Sequence, residues 1–61
     1  MAEPKFEIFQ DAAGMFRFRI VAPNNEIIAV SEAYMTKSGC QNGIESVRKN
    51  VPRAIIKDLT Q

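Results

Sequence analysis

Histidine and tryptophan are missing from this chain, and cysteine occurs once, at Cys40. Nucleophilic catalysis needs a base within hydrogen-bond reach of the nucleophile, usually histidine, so the usual catalytic pairings are ruled out and no catalytic residue is assigned. One thiol cannot form an intrachain disulfide. With no imidazole and no second thiol to share a metal, no zinc site is expected. Three glycines, Gly14, Gly39 and Gly43, are too scattered for a phosphate-cradling loop, and no cofactor is expected. Charge of one sign is also scarce in excess: eight Lys and Arg face seven Asp and Glu, a net +1. That balance provides no long-range pull toward nucleic acid or an acidic membrane. No apolar run approaches the ~20 residues needed to span a bilayer.

What remains is an ordinary globular composition, 46% hydrophobic and 25% charged, which argues against disorder. At 61 residues the chain is a single domain, 1–61. A domain this short buries only ~60% of its unfolded surface, so it needs a staple. Disulfide and metal being set aside, a partner chain is the staple left. The segment Met1-Ala2-Glu3-Pro4-Lys5 has no basic start leading into an apolar stretch, so no signal peptide is expected. With a free thiol, this places the protein in the cytoplasm as an expectation.

The hydrophobic pattern predicts an α+β domain. Lys5 to Gln10 alternates, with Phe6 and Ile8 on one face and Lys5 and Glu7 on the other, which reads as a strand. Asp11-Ala12-Ala13-Gly14 reads as a turn. Met15 to Ala22 alternates again: Phe16, Phe18, Ile20 and Ala22 share one face, and Met15, Arg17, Arg19 and Val21 the other. The short Gly-containing loop makes the two an antiparallel hairpin. Pro23-Asn24-Asn25-Glu26 is a second turn, because Asn tolerates the left-handed conformation. A third strand, Glu26 to about Glu32, is apolar on both faces, as expected for a strand covered twice or lying at a subunit contact.

The period then changes. At 100° per residue, Cys40, Ile44, Val47 and Val51 fall within about 60° of arc, with Lys37, Gln41, Glu45, Arg48 and Lys49 opposite. This predicts a helix at about 37–50. Thr36 or Ser38 can cap it, and Ser38 with Gln41 has capping-box spacing. Asn50 in a left-handed cap, followed by Val51-Pro52, stops it. Gly39, Gly43, Ser46 and Asn50 form a stripe of small residues, and a mid-helix glycine costs roughly 1 kcal/mol that close approach to a neighbour would offset. Arg53 to Leu59 returns to strand character. Cys40, central on the apolar face, reads as a small buried hydrophobe.

Four residues stand out as candidate ligand-binding positions. Arg17 and Arg19 share a strand face beside Met15 and Val21, an arrangement that can hold single-stranded nucleic acid. The low charge surplus disfavours that reading, and pairing with Glu7 is the plainer account. Glu32 and Tyr34 lie in the connection into the helix, where free backbone N–H groups can assist recognition. The local alternative is that Ser31 and Thr36 cap, Tyr34 packs on the sheet and Glu32 satisfies an arginine. Glu7 with Glu32 as paired carboxylates finds no support in the spacing.

The hairpin's apolar face is about what one helix can cover. Phe9, Met15, Val21, one face of Ile27 to Val30, and Ile56 or the pair Ile55 and Leu59 are left over. At ~25 cal/mol per Å2, leaving several of these wet forfeits several kcal/mol, and four strands have two open edges. A homodimer would cover both liabilities. The expected role is a non-enzymatic homodimeric binding or structural module, with weak single-stranded nucleic-acid binding as the alternative.

The stretches Lys5-Phe6-Glu7-Ile8-Phe9 and Gly14-Met15-Phe16-Arg17-Phe18-Arg19 resemble the opening of the YegP-like family, a bacterial domain of unknown function. The likeness continues through Glu26-Ile27-Ile28-Ala29, Ser31-Glu32-Ala33-Tyr34 and Asn42-Gly43-Ile44-Glu45-Ser46-Val47-Arg48-Lys49-Asn50. It implies a strand-strand-strand-helix-strand unit, an antiparallel sheet with one helix packed on it. It further implies two units sharing one sheet with exchanged C-terminal strands, here as two chains. Asn24-Asn25 stands where the family often has Asn-Gly, which leaves the turn type open. The family offers no established catalytic residues to transfer.

Overall fold

The computed structural model describes residues 3–60. Three strands, β1 (Lys5–Gln10), β2 (Phe16–Val21) and β3 (Ile27–Val30), form an antiparallel sheet in the order β1-β2-β3. One helix, α1 (Lys37–Asn50), follows and runs into a short 3-10 turn, Val51–Arg53.

The first turn is built by Asp11. Its Oδ1 accepts from the N–H groups of Ala13 at 2.9 Å and Met15 at 3.0 Å. Gly14 supplies the positive φ, 79°, that closes the loop. Cross-strand partners share a face, so the register Phe6↔Ile20, Ile8↔Phe18 and Gln10↔Phe16 gathers five apolar side chains on one face, with Gln10 at its exposed end. The opposite face carries Lys5↔Val21, Glu7↔Arg19 and Phe9↔Arg17. At the second turn Asn25 adopts φ 67°, as the residue type allows, and Asn24 Oδ1 accepts from the Glu26 N–H at 3.1 Å.

The third strand is shorter than the expected 26–32. Ile20 pairs with Ala29 but Val21 pairs with Ile27, so Ile28 is an extra residue in a bulge. At the far end Ser31 breaks the ladder. Its Oγ, not a backbone carbonyl, accepts from the Phe18 N–H at 2.9 Å, and its own N–H donates to the Phe18 carbonyl at 2.8 Å. The chain swings out over Glu32 and Ala33 and returns at Tyr34, which exchanges backbone bonds with Phe16 at 2.8 and 2.7 Å. Ser31→Ala leaves the half-buried Phe18 N–H without its partner, and a loss of about 1 kcal/mol is expected. A urea melt at fixed protein concentration should show a lower midpoint with an unchanged slope.

Thr36 caps α1, its Oγ1 accepting from the Gly39 N–H at 2.9 Å. Ser38 lies inside the first turn and forms no cap. The helix ends otherwise than expected. Asn50 stays right-handed at φ −102° and binds back to the Ser46 carbonyl at 3.0 Å, while Val51 and Pro52 tighten the chain into the 3-10 turn. Val51 is therefore turned off the buried stripe and is exposed.

Against the sheet, α1 sets Cys40, fully buried, together with half-buried Gly43, Ile44 and Val47. Phe18, 5% exposed, lies under it and meets the Phe6 ring edge-on at 5.9 Å and the Tyr34 ring stacked at 6.4 Å. Gly43 lies directly over Tyr34 and Phe18: a Cβ there would overlap the Tyr34 hydroxyl, approach Tyr34 Cζ to 2.8 Å and Phe18 Cε2 to 3.2 Å. The small-residue stripe thus has a packing cause at Gly43.

The fourth strand expected over Arg53 to Leu59 does not form within the chain. Arg53 closes the 3-10 turn, and Ala54 is extended at φ −73°, ψ 135°. The residues that follow pair with no strand among the described residues. Ile55, Ile56 and Leu59 are 86%, 95% and 81% exposed. A strand is held by its neighbour's backbone, and no strand among the described residues lies beside this segment.

Candidate functional site

The sheet face away from α1 carries most of the polar chemistry. Arg19 Nε donates to Glu7 Oε1 at 2.7 Å, and its guanidinium carbon lies 5.1 Å from the centre of the Phe9 ring. Lys5 Nζ stands 3.4 Å from the other Glu7 oxygen. Arg17 Nε donates to Asp11 Oδ2 at 2.8 Å, and its Nη1 reaches the Ser31 carbonyl at 3.2 Å. Alternation along β2 places both guanidiniums on this face. The cross-strand position of Glu7 and the backward reach of the Asp11 turn give each an acid.

Beside this network lies a shallow, open groove of about 270 Å3 lined by Glu7, Arg19, Val21, Asn25 and Ile27. Val21 is only 3% exposed although it shares the face of Arg19. The groove thus joins a polar side, Glu7, Arg19 and Asn25, to an apolar one, Val21 and Ile27, and its two charges already satisfy one another.

The hydrogen bond from Arg19 holds the Glu7 carboxyl below the usual range, against a smaller opposing effect of desolvation. For Asp11 the hydrogen bond from Arg17 leads, followed by the Met15 N–H. Both folded-state values are depressed, so their contribution is present above the unfolded value, roughly pH 4. It is lost as pH falls through the folded values. Stability should therefore be flat from neutral pH to about 5 and decline below about 4. Melting across that range should show the decline reduced in Asp11→Asn.

Of the four candidate residues, Arg17 and Arg19 meet on one face. Tyr34 lies on the other, its ring stacked on Phe18 beneath α1. Glu32 is exposed in the excursion between Ser31 and Tyr34 and forms no ion pair with an arginine among the described residues. Asp11 and Phe9 complete the network and were not singled out from sequence. Phe9 has a legible signal, since it alternates onto the Glu7 face. Cys40 matches its reading as a buried hydrophobe, and burial pushes its thiol up.

Residues 11–58 match the family described as Domain of unknown function (DUF1508). The chain belongs to this family. A UPF0339 protein of Treponema denticola is 56% identical over 55 residues, covering 90% of this chain and 95% of the relative. One from Methanosarcina acetivorans is 50% identical over 52 residues, covering 85% and 90%. A solved structure, "NMR solution structure of the protein from Haloferax volcanii", superposes with a TM-score of 0.86 at 41% identity, covering 95% of this chain and 98% of the other. The resemblance to the YegP-like family agrees with DUF1508 membership, and the archaeal relatives show that the family is not confined to bacteria. DUF1508 is a family of unknown function, and no helix among the described residues is long and apolar enough to cross a membrane.

Proposed function

We propose that this protein is a non-enzymatic, cytoplasmic homodimer acting as a small binding or structural module, its two copies joined by exchanged C-terminal segments. The observation that carries this reading is excess surface. The single chain exposes 5203 Å2 at a mass of 6.8 kDa, where a compact monomer of that mass exposes about 4,000 Å2. Its radius of gyration is 13.1 Å, against about 10.5 Å for a compact chain of this length. An excess of roughly 1,200 Å2 per chain, doubled, is in the range of obligate interfaces. The exposed large apolar side chains are Ile27, Ile28 and Val30 of β3, Ile55, Ile56 and Leu59 of the C-terminal segment, and Met35 and Val51 at the two ends of α1. A further support is a relative from Stutzerimonas stutzeri, described as "UPF0339 protein in ptx operon 5'region". It is 60% identical over 47 residues that make up only 42% of its length, which leaves room for a second unit.

Light scattering coupled to size exclusion, across a dilution series, tests the dimer: a mass of two chains is expected down to low micromolar concentration. A well-folded monomer there would remove the proposal. The alternative, single-stranded nucleic acid on the Arg17 and Arg19 face, is weakened because Asp11 and Glu7 already occupy both guanidiniums. A salt-dependent shift with an oligonucleotide, lost in Arg17→Glu, would revive it.

A further inference from the structure

We infer that the groove beside Glu7 and Arg19 binds a small aliphatic monocarboxylate, its carboxylate on the outer nitrogens of Arg19 and its hydrocarbon part on Val21 and Ile27. The inference rests on the binding role proposed above and adds a place and a ligand class. Its basis is that the charges here are paired while the hydrogen-bond donors are not. A guanidinium carries five N–H donors in a planar fork. Glu7 takes the one on Nε, at 2.7 Å, and among the described residues Nη1 and Nη2 of Arg19 donate to no acceptor. Arg17 differs, because its Nη1 is committed to the Ser31 carbonyl. The Arg19 side chain is 38% exposed, so a ligand can reach the free end of the fork.

Charge, geometry and lining select the ligand. Lys5 and Arg19 share the carboxylate of Glu7, which leaves the cluster one negative charge short of neutral. A monoanion restores the balance, whereas a phosphate dianion overshoots it beside Glu7. The guanidinium is also held before any ligand arrives, by Glu7 at its Nε and by the Phe9 ring centred 5.1 Å away. A planar fork fixed in this way suits a carboxylate, which accepts two parallel bonds, and little side-chain freedom remains to be lost. Away from the charges the groove is lined by Val21 and Ile27, with the Asn25 side chain beside them. Ile27 is 52% exposed, so a hydrocarbon seated on it removes apolar surface from water. At about 270 Å3 the groove is just smaller than the usual ligand pocket, about 300–1,000 Å3, which calls for a short chain.

The test uses the full chain, uniformly 15N-labelled, with isovalerate as the probe at neutral pH and fixed ionic strength. An NMR titration follows the backbone amides and the Arg19 Nε–H. Saturating shifts at Arg19, Val21, Asn25 and Ile27 are expected, with a dissociation constant of about 1 mM. Isovaleramide, which brings no charge to the fork, should bind at least about tenfold more weakly. Acetate should also bind more weakly, because it leaves Val21 and Ile27 uncovered. Arg19→Lys keeps the pairing with Glu7 but removes the fork, and a loss of about tenfold is expected. Undiminished affinity in Arg19→Lys would overturn the assignment. Equal shifts with acetate or inorganic phosphate would mean an adventitious ion only and would overturn it too, as would the lack of any saturable shift. Light scattering on the same sample separates the two readings. A two-chain mass without ligand shifts would remove the ligand and leave the homodimer standing, and a one-chain mass with the shifts intact would do the reverse.

Discussion

On the homodimer reading proposed above, a chain carrying Ile55→Ser together with Ile56→Ser is expected to stay monomeric at concentrations where the unaltered chain associates. In the lone subunit the two side chains touch almost nothing, being 86% and 95% exposed. Replacing them there costs no packing. Within a pair, each buried isoleucine is worth about 1.5–3 kcal/mol, and a symmetric contact uses both copies. Even partial burial puts the loss above about 2.7 kcal/mol, which is at least a hundredfold in the dimer dissociation constant. Sedimentation equilibrium on both proteins measures it. The sign is informative, because a protein that works as a monomer would be unaffected or become more soluble. On the same reading, losing association should also lower stability, because binding of a partner subunit stabilises the folded chain.

The second large effect is expected at Gly43. By helix propensity alone, Gly43→Ala should stabilise the chain by roughly 1 kcal/mol. The structure reverses that sign. The new Cβ would overlap the Tyr34 hydroxyl and approach Tyr34 Cζ to 2.8 Å. The ring has little freedom to retreat, because Phe16 holds the Tyr34 backbone through two hydrogen bonds and Phe18 stacks against its face. Overpacking of this kind costs about 1–3 kcal/mol, so a net loss is expected. Chemical denaturation at matched concentration gives the size. Gly43→Ala combined with Tyr34→Phe should lose less than Gly43→Ala alone relative to its own parent, since the overlapping oxygen is gone. Gly39→Ala serves as a comparison: its Cβ would come nearest to Thr36 Oγ1 at 3.2 Å and to the Tyr34 side chain at 3.6 Å, an easier fit. Equal losses at both glycines would show that backbone effects, not Tyr34, decide the matter.

Pattern alone found the parts of the fold that local chemistry fixes. The helix at 37–50 was bounded correctly because an apolar 3.6-residue repeat lies between a capping threonine and Pro52. The hairpin was legible because alternation on both sides of Asp11 to Gly14 leaves one register in which the apolar faces coincide. Pairing of Arg19 with Glu7 follows from that register. Pairing of Arg17 with Asp11 does not, since it depends on how the turn folds back. The end of β3 was also hidden. Ser31 substitutes a hydroxyl for a carbonyl in the ladder, which a serine in sequence does not announce.

The order of residues by itself determined the three strands, the helix and the burial of Cys40, since each follows from period or residue type. Tertiary structure alone decided that the Tyr34 ring stacks on Phe18 beneath the helix, that Gly43 makes room for a phenol, and that the last apolar segment pairs with no strand among the described residues. The reason is physical: periodicity assigns a residue to a face, but only the packed arrangement of backbones shows which faces meet and which strand is left without a hydrogen-bonding partner.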